Sequence, residues 1–179
     1  DLHVVGQTPP TVEDDITLIS CRYRVPFAAA EEGSPILQSF TQEDSWDLDL
    51  NIDILSNYWI ENEDIDAEFA GEINLIREDG NYPIVGEMDI LRGRGFLFDK
   101  TFRLEPRQEA VIFTGSEVPN PQLDIIANTR IPGVRFDQET TSDVIDLCIH
   151  VTGTLDTAEI NPCRESEFSR EDILPLLAL

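Results

Sequence analysis

At 179 residues with 41% hydrophobic side chains, the chain can fill one core, which argues against wholesale disorder. Its formal charge of -24, from 36 acidic against 12 basic residues, repels phosphate backbones and argues against nucleic acid as a partner. No apolar run approaches the length of a membrane span.

Residues 1–44 read as an N-terminal strand and loop segment. Asp15 to Arg24 is its better strand, and the stretch 26–44, with two prolines and a charge cluster, reads as a loop or short helix. From Ser45 the pattern changes. Trp46, Leu48, Leu50, Ile52 and Ile54 alternate with Asp47, Asp49, Asn51 and Asp53. Side chains alternate faces along a strand, so this strand has one dry face and one acidic, wet face. Ile65, Ala67, Phe69, Gly71, Ile73 and Leu75 repeat the pattern, as do Ile145, Leu147, Ile149 and Val151.

Strands are expected over 45–56, 63–77, 83–92, 95–99, 101–105, 109–114, 122–130 and 143–155. Asp79-Gly80-Asn81, Gly93 and Gly95, Glu105-Pro106, Asn120-Pro121 and Pro132-Gly133 supply turn signals between them. Such short spacings favour antiparallel neighbours over crossover helices. A short helix is expected near 169–178, with Ser169 as N-cap and Glu171 and Asp172 in its first turn. The chain opens on Asp1 and stops at Leu179 inside an amphipathic pattern, which reads as a piece of a longer polypeptide.

Lys100 is the only lysine. An acid-rich, lysine-poor surface suits a salty solvent that screens self-repulsion, so a high-salt source is expected. Three cysteines cannot all pair within the chain, and Cys21, Cys148 and Cys163 match no metal motif. Cys148 with Cys163 is the pair an oxidising compartment favours; three free thiols used as small apolar residues is the plainer reading.

Catalytic chemistry is sparse. His3 and His150 are the only histidines. Cys148 and His150 share a strand face, but a polar-face histidine is normally just solvated. Gly93-Arg94-Gly95 precedes a strand and offers no helix N-terminus to a phosphate. Asp47, Asp49, Asn51 and Asp53 have the spacing that opens a calcium loop. Ile52 stands where that loop needs its glycine, and Tyr58 where it needs a bidentate glutamate. The reading is no enzyme, no metal and no cofactor.

A set of residues from Trp46 onward carries a family likeness. It runs through Asn57-Tyr58-Trp59, Gly71, Pro83, Ile84, Gly86, Arg92-Gly93, Phe96, Phe98, Phe102 and Leu104. It continues with Ile112-Phe113, Asn120-Pro121-Gln122-Leu123-Asp124 and Ala127. Val151-Thr152-Gly153-Thr154-Leu155, Pro162, Ser169, Glu171-Asp172-Ile173-Leu174 and Leu176-Leu177 complete it. In order and spacing these motifs resemble the C-terminal domain of the translocation and assembly module subunit TamB family. Residues 45–179 are the TamB-like β domain in this reading. The chain departs from the family pattern at Arg107 to Ala110 and at Arg164-Glu165-Ser166-Glu167, and residues 1–44 carry no match.

The resemblance implies an all-β fold: a curved, antiparallel-rich sheet forming an elongated trough with an apolar interior (β-taco-like), closed by the short C-terminal helix. From pattern alone a sandwich is the plainer outcome, its apolar face ordinary core. The family implies an inner-membrane anchor outside this chain, a periplasmic location, and an outer-membrane barrel partner of the Omp85 class (TamA-like). It also implies phospholipid acyl chains as cargo, or a docking module that carries no lipid. Groove-lining residues are then Trp46, Leu48, Leu50, Ile52, Ile54, Phe69, Met88, Ile90, Phe96, Phe98, Leu123, Ile125, Leu147, Ile149 and Val151. Ile173, Leu174, Leu176 and Leu177 would close the end of the groove or face the partner.

Overall fold

The computed structural model describes residues 3–5, 10–24, 46–77, 81–116, 120–132, 144–163 and Ser169. The expected helix over 169–178 therefore lies outside the described residues, apart from Ser169. Eleven strands form one curved, antiparallel-rich sheet. They are β1 (His3–Val5), β2 (Thr11–Leu18), β3 (Cys21–Tyr23), β4 (Asp47–Glu61), β5 (Ile65–Arg77) and β6 (Ile84–Leu97). After these come β7 (Lys100–Leu104), β8 (Arg107–Thr114), β9 (Gln122–Pro132), β10 (Val144–Thr154) and β11 (Glu159–Pro162). The spatial order is β1-β2-β4-β5-β6-β7-β9-β10-β11.

β4 pairs parallel with β2 and, further along, with β3. The remaining pairings are antiparallel. β7 and β8 follow one another between β6 and β9 as a single interrupted strand. Pro106 causes the interruption, because proline has no N–H to give a ladder.

The expected break at Gly93 and Gly95 is absent: residues 84–97 form one strand, β6, which joins the expected strand 83–92 to the first part of 95–99. A Cβ on Gly93 would lie 2.4 Å from the Cβ of Ala67. Glycine there permits a close approach of two strands and marks no turn. The turn comes later, at Phe98 and Asp99, whose φ angles of 48° and 60° suit a tight two-residue hairpin.

A bulge in β6 decides which side chains face which way. Glu68 pairs with Arg92 and Phe69 with Ile90, so Leu91 is one extra residue. An extra residue reverses the alternation beyond it. Met88 and Ile90 occupy the apolar face before the bulge. Gly93, Gly95 and Leu97 occupy it afterwards, and Arg92, Arg94 and Phe96 turn to the polar face.

The core lies on one face of the sheet. Ile54, Ala67, Phe69, Met88, Ile90, Phe102, Leu104, Ala110, Ala127, Ile131, Leu147 and Ile149 form one cluster, each 0 to 5% exposed. Burying side chains of this size contributes about 1.5–3 kcal/mol apiece for the larger ones. At the far edge Cys148 is bonded to Cys163, which ties β11 to β10. Cys21 is the free thiol. The free-thiol reading thus holds for one cysteine only. Cys163 is brought to Cys148 by the chain's return through the turn at 155–157 into β11.

Candidate functional site

The apolar face has a closed part and an accessible part. Of the expected lining residues, Ile54, Phe69, Met88, Ile90, Leu147 and Ile149 are in the buried cluster. Ile52, Ile125 and Val151 pack against it. Trp46, Leu48, Leu50 and Leu123 are half-buried and stand outside the cluster. Leu48, Leu50 and Ile52 follow one another on the dry side of β4, opposite Arg77, Leu75 and Ile73 of β5.

Phe96 and Phe98 are not brought to this face. Phe96 is 37% exposed on the polar side of β6, and Phe98 is 55% exposed in the hairpin. Even-numbered spacing from Met88 and Ile90 leads to them only if β6 is regular, and the extra Leu91 breaks that count. Ile173, Leu174, Leu176 and Leu177 lie outside the described residues.

Arg77 marks one end of the apolar face. It shares the parity of Ile73 and Leu75 but carries a charge, and it is 4% exposed. Its guanidinium lies 4.2 Å from the Trp46 ring centroid and 5.8 Å from that of Tyr82. Nε donates to the Tyr82 hydroxyl at 3.1 Å, and Nη1 donates to the Trp46 carbonyl. Such pairing with acceptors and ring faces is what lets a guanidinium be buried. Strand parity alone would have located Arg77, because it is the one charged residue on the dry side of β5.

The wet face is organised by hydrogen bonds. Asn74 donates to Asp49 at 2.6 Å and to Asn51 at 2.8 Å, and Asn51 donates to Asp15 at 3.0 Å. Two of the four residues that resemble the start of a calcium loop, Asp49 and Asn51, are thus members of a strand-to-strand polar ladder. Among the described residues no group of three or more His, Cys, Asp or Glu side chains is placed to hold a metal ion.

Two carboxylates on this face are strongly engaged. Glu68 is 5% exposed and accepts from the Asn57 N–H at 2.9 Å and from Arg92 Nε at 2.6 Å. Asn57 has φ 58° within the irregular stretch of β4. That backbone N–H, then Arg92, hold the Glu68 carboxyl below the usual range. Burial alone would raise the pKa of Asp124, but hydrogen bonds with His150 and Arg107 outweigh it and hold the carboxyl below its usual range. His150 therefore faces a carboxylate, and Cys148 is held in a disulfide, so no thiol–imidazole pair exists there. On the opposite side of the sheet, burial followed by the nearby Cys21 and Tyr23 raises the Tyr58 hydroxyl.

Among the described residues no helix is long and apolar enough to cross a membrane. A family model, the TamB C-terminal domain, matches residues 4–178. No curated protein matches the chain.

Proposed function

Because the chain belongs to the TamB C-terminal domain family, we propose that the apolar face of its sheet guides phospholipid acyl chains between the two membranes of a diderm cell. In this reading the protein is anchored in the inner membrane through a segment outside this chain, and the sheet stands in the periplasm. The supporting observation is the half-buried stripe of Leu48, Leu50 and Ile52, which runs without a polar interruption into the buried cluster. Acyl chains laid along it gain about 0.8 kcal/mol per buried CH₂. The Cys148–Cys163 bond agrees with an oxidising compartment such as the periplasm.

Arg77, clamped between Trp46 and Tyr82, ends the stripe on one side. We assign it the role of a stop that keeps the apolar path from opening laterally. No catalytic role is assigned to any residue.

A second reading, a docking module for an outer-membrane barrel, has its own observation. β11 pairs with residues 149–152 of β10, while among the described residues Ile145, Asp146 and Leu147 have β9 alone as a strand partner. An edge of that kind accepts an added strand.

Native mass spectrometry of the purified chain separates the two. Phospholipid adducts that disappear with Leu50→Arg support the acyl path. A chain that carries no lipid, yet captures a barrel protein from outer-membrane extract, supports docking and refutes transport.

A further inference from the structure

The polar face holds a feature that neither the apolar stripe nor the sheet edge uses. Strands β4, β5, β6, β7, β9 and β10 line an open concavity of about 1120 Å³ on that side. Arg92, Arg94, Arg103 and Arg130 line it against two carboxylates, Asp66 and Asp146. In a chain of net charge -24 with 12 basic residues, four guanidiniums at one place run against the charge of the whole surface.

Register explains how they meet. Asp66 pairs with Arg94, Arg94 with Arg103, and Arg103 with Asn128, in one row across four strands. Like charges directly opposite on neighbouring strands destabilise a sheet. Arg94 is relieved by Asp66 at 2.5 Å. Arg103, next in the row, has no ion-pair partner among the described residues, since Asp66 is taken by Arg94 and Glu105 accepts from Asn128 at 2.6 Å. The Leu91 bulge is what turns Arg92 and Arg94 to this side.

The other two arginines are held by one nitrogen each. Arg92 uses Nε toward Glu68 at 2.6 Å and lies 5.4 Å from the Trp59 ring centroid. Arg130 uses Nε toward Asp146 at 2.8 Å. Their Nη groups are not engaged by these pairs. A carboxylate is satisfied by a single guanidinium fork, whereas a phosphate group presents oxygens to several at once.

We infer that this concavity binds a phosphate group, carried either by a small molecule or by a lipid headgroup. The inference is independent of the acyl path, since it concerns the opposite face of the sheet. Long-range repulsion by the chain's charge makes the comparison valid only at fixed ionic strength.

The test is isothermal titration of the 179-residue chain at constant ionic strength with inorganic phosphate, with glycerophosphoglycerol and with acetate. Binding of inorganic phosphate alone supports the site and identifies a free phosphate; binding of both phosphates supports it and identifies a headgroup. In either case Arg103→Gln, an exposed substitution, should weaken binding at least tenfold while leaving the circular dichroism spectrum unchanged. The inference is overturned if neither phosphate binds, if acetate binds equally well, or if Arg103→Gln binds phosphate as tightly as the parent.

Discussion

Cys163 is bonded to Cys148 across the last two strands, and the Cys163 N–H also donates to the Cys148 carbonyl at 3.2 Å. The bond closes a loop with a sequence separation of 15. It holds β11 against the edge of β10, where short strands fray most readily.

Cys163→Ser is expected to lower the unfolding free energy by about 3 kcal/mol, the amount chain entropy gives for a loop of this size. Amide exchange should quicken first in residues 149–152 and 159–161 of the paired segments. Unchanged denaturant midpoints and unchanged exchange would show that β11 is held without the bond.

Two arginine substitutions on the same face should behave differently. Ile149 is 3% exposed within the cluster, so Ile149→Arg leaves an unpaired charge in the core and should prevent folding, at a cost of several kcal/mol. Leu50 is half-buried outside the cluster, so Leu50→Arg should remain folded. Thermal melts followed by circular dichroism decide this. Two equally unfolded variants would mean that the stripe is sealed core.

Acid should destabilise the sheet through Glu68 and Asp124. Both carboxyls are lowered in the folded state. Their stabilising contribution is therefore complete above about pH 4.5 and is lost as pH falls below the ordinary carboxylate range. Urea midpoints at pH 7 and pH 3.5 measure the loss, and Glu68→Gln should lose less between those values than the parent. An equal loss in both proteins would remove Glu68 from the account.

Salt should act in the opposite direction to its effect on ion pairs. With a net charge of -24, self-repulsion outweighs the exposed bridges, of which Arg130–Asp146 is one. Screening length falls from about 10 Å at 0.1 M to about 3 Å at 1 M. The melting temperature should rise with sodium chloride over that range. A flat or falling curve would contradict the high-salt expectation.

The long strands were legible because burial on one side writes itself as alternation. Trp46 to Ile54 and Ile145 to Val151 follow it, and β4 and β10 contain them from Asp47 and Val144 onward. The middle of β6 was illegible for a physical reason. Arg92-Gly93-Arg94-Gly95-Phe96 offers no apolar period, and glycines that serve strand contact look the same in sequence as glycines that turn. A single bulge there redirected Phe96, Arg92 and Arg94 together. The parallel pairing of β2 and β3 with β4 left no local signal, since register between distant segments is set by packing. Arg77 was visible in principle, standing on the dry parity of β5.

The acyl path is tested most directly by site-specific photocrosslinking along β4 in cells. Leu50 and Ile52 lie on the dry side of that strand, and Asp49 and Asn51 on the wet side. A benzophenone side chain at 50 or 52 should yield labelled phospholipid adducts, and the same group at 49 or 51 should yield none. Equal labelling at all four positions, or adducts at 50 and 52 that contain only protein, would contradict the path.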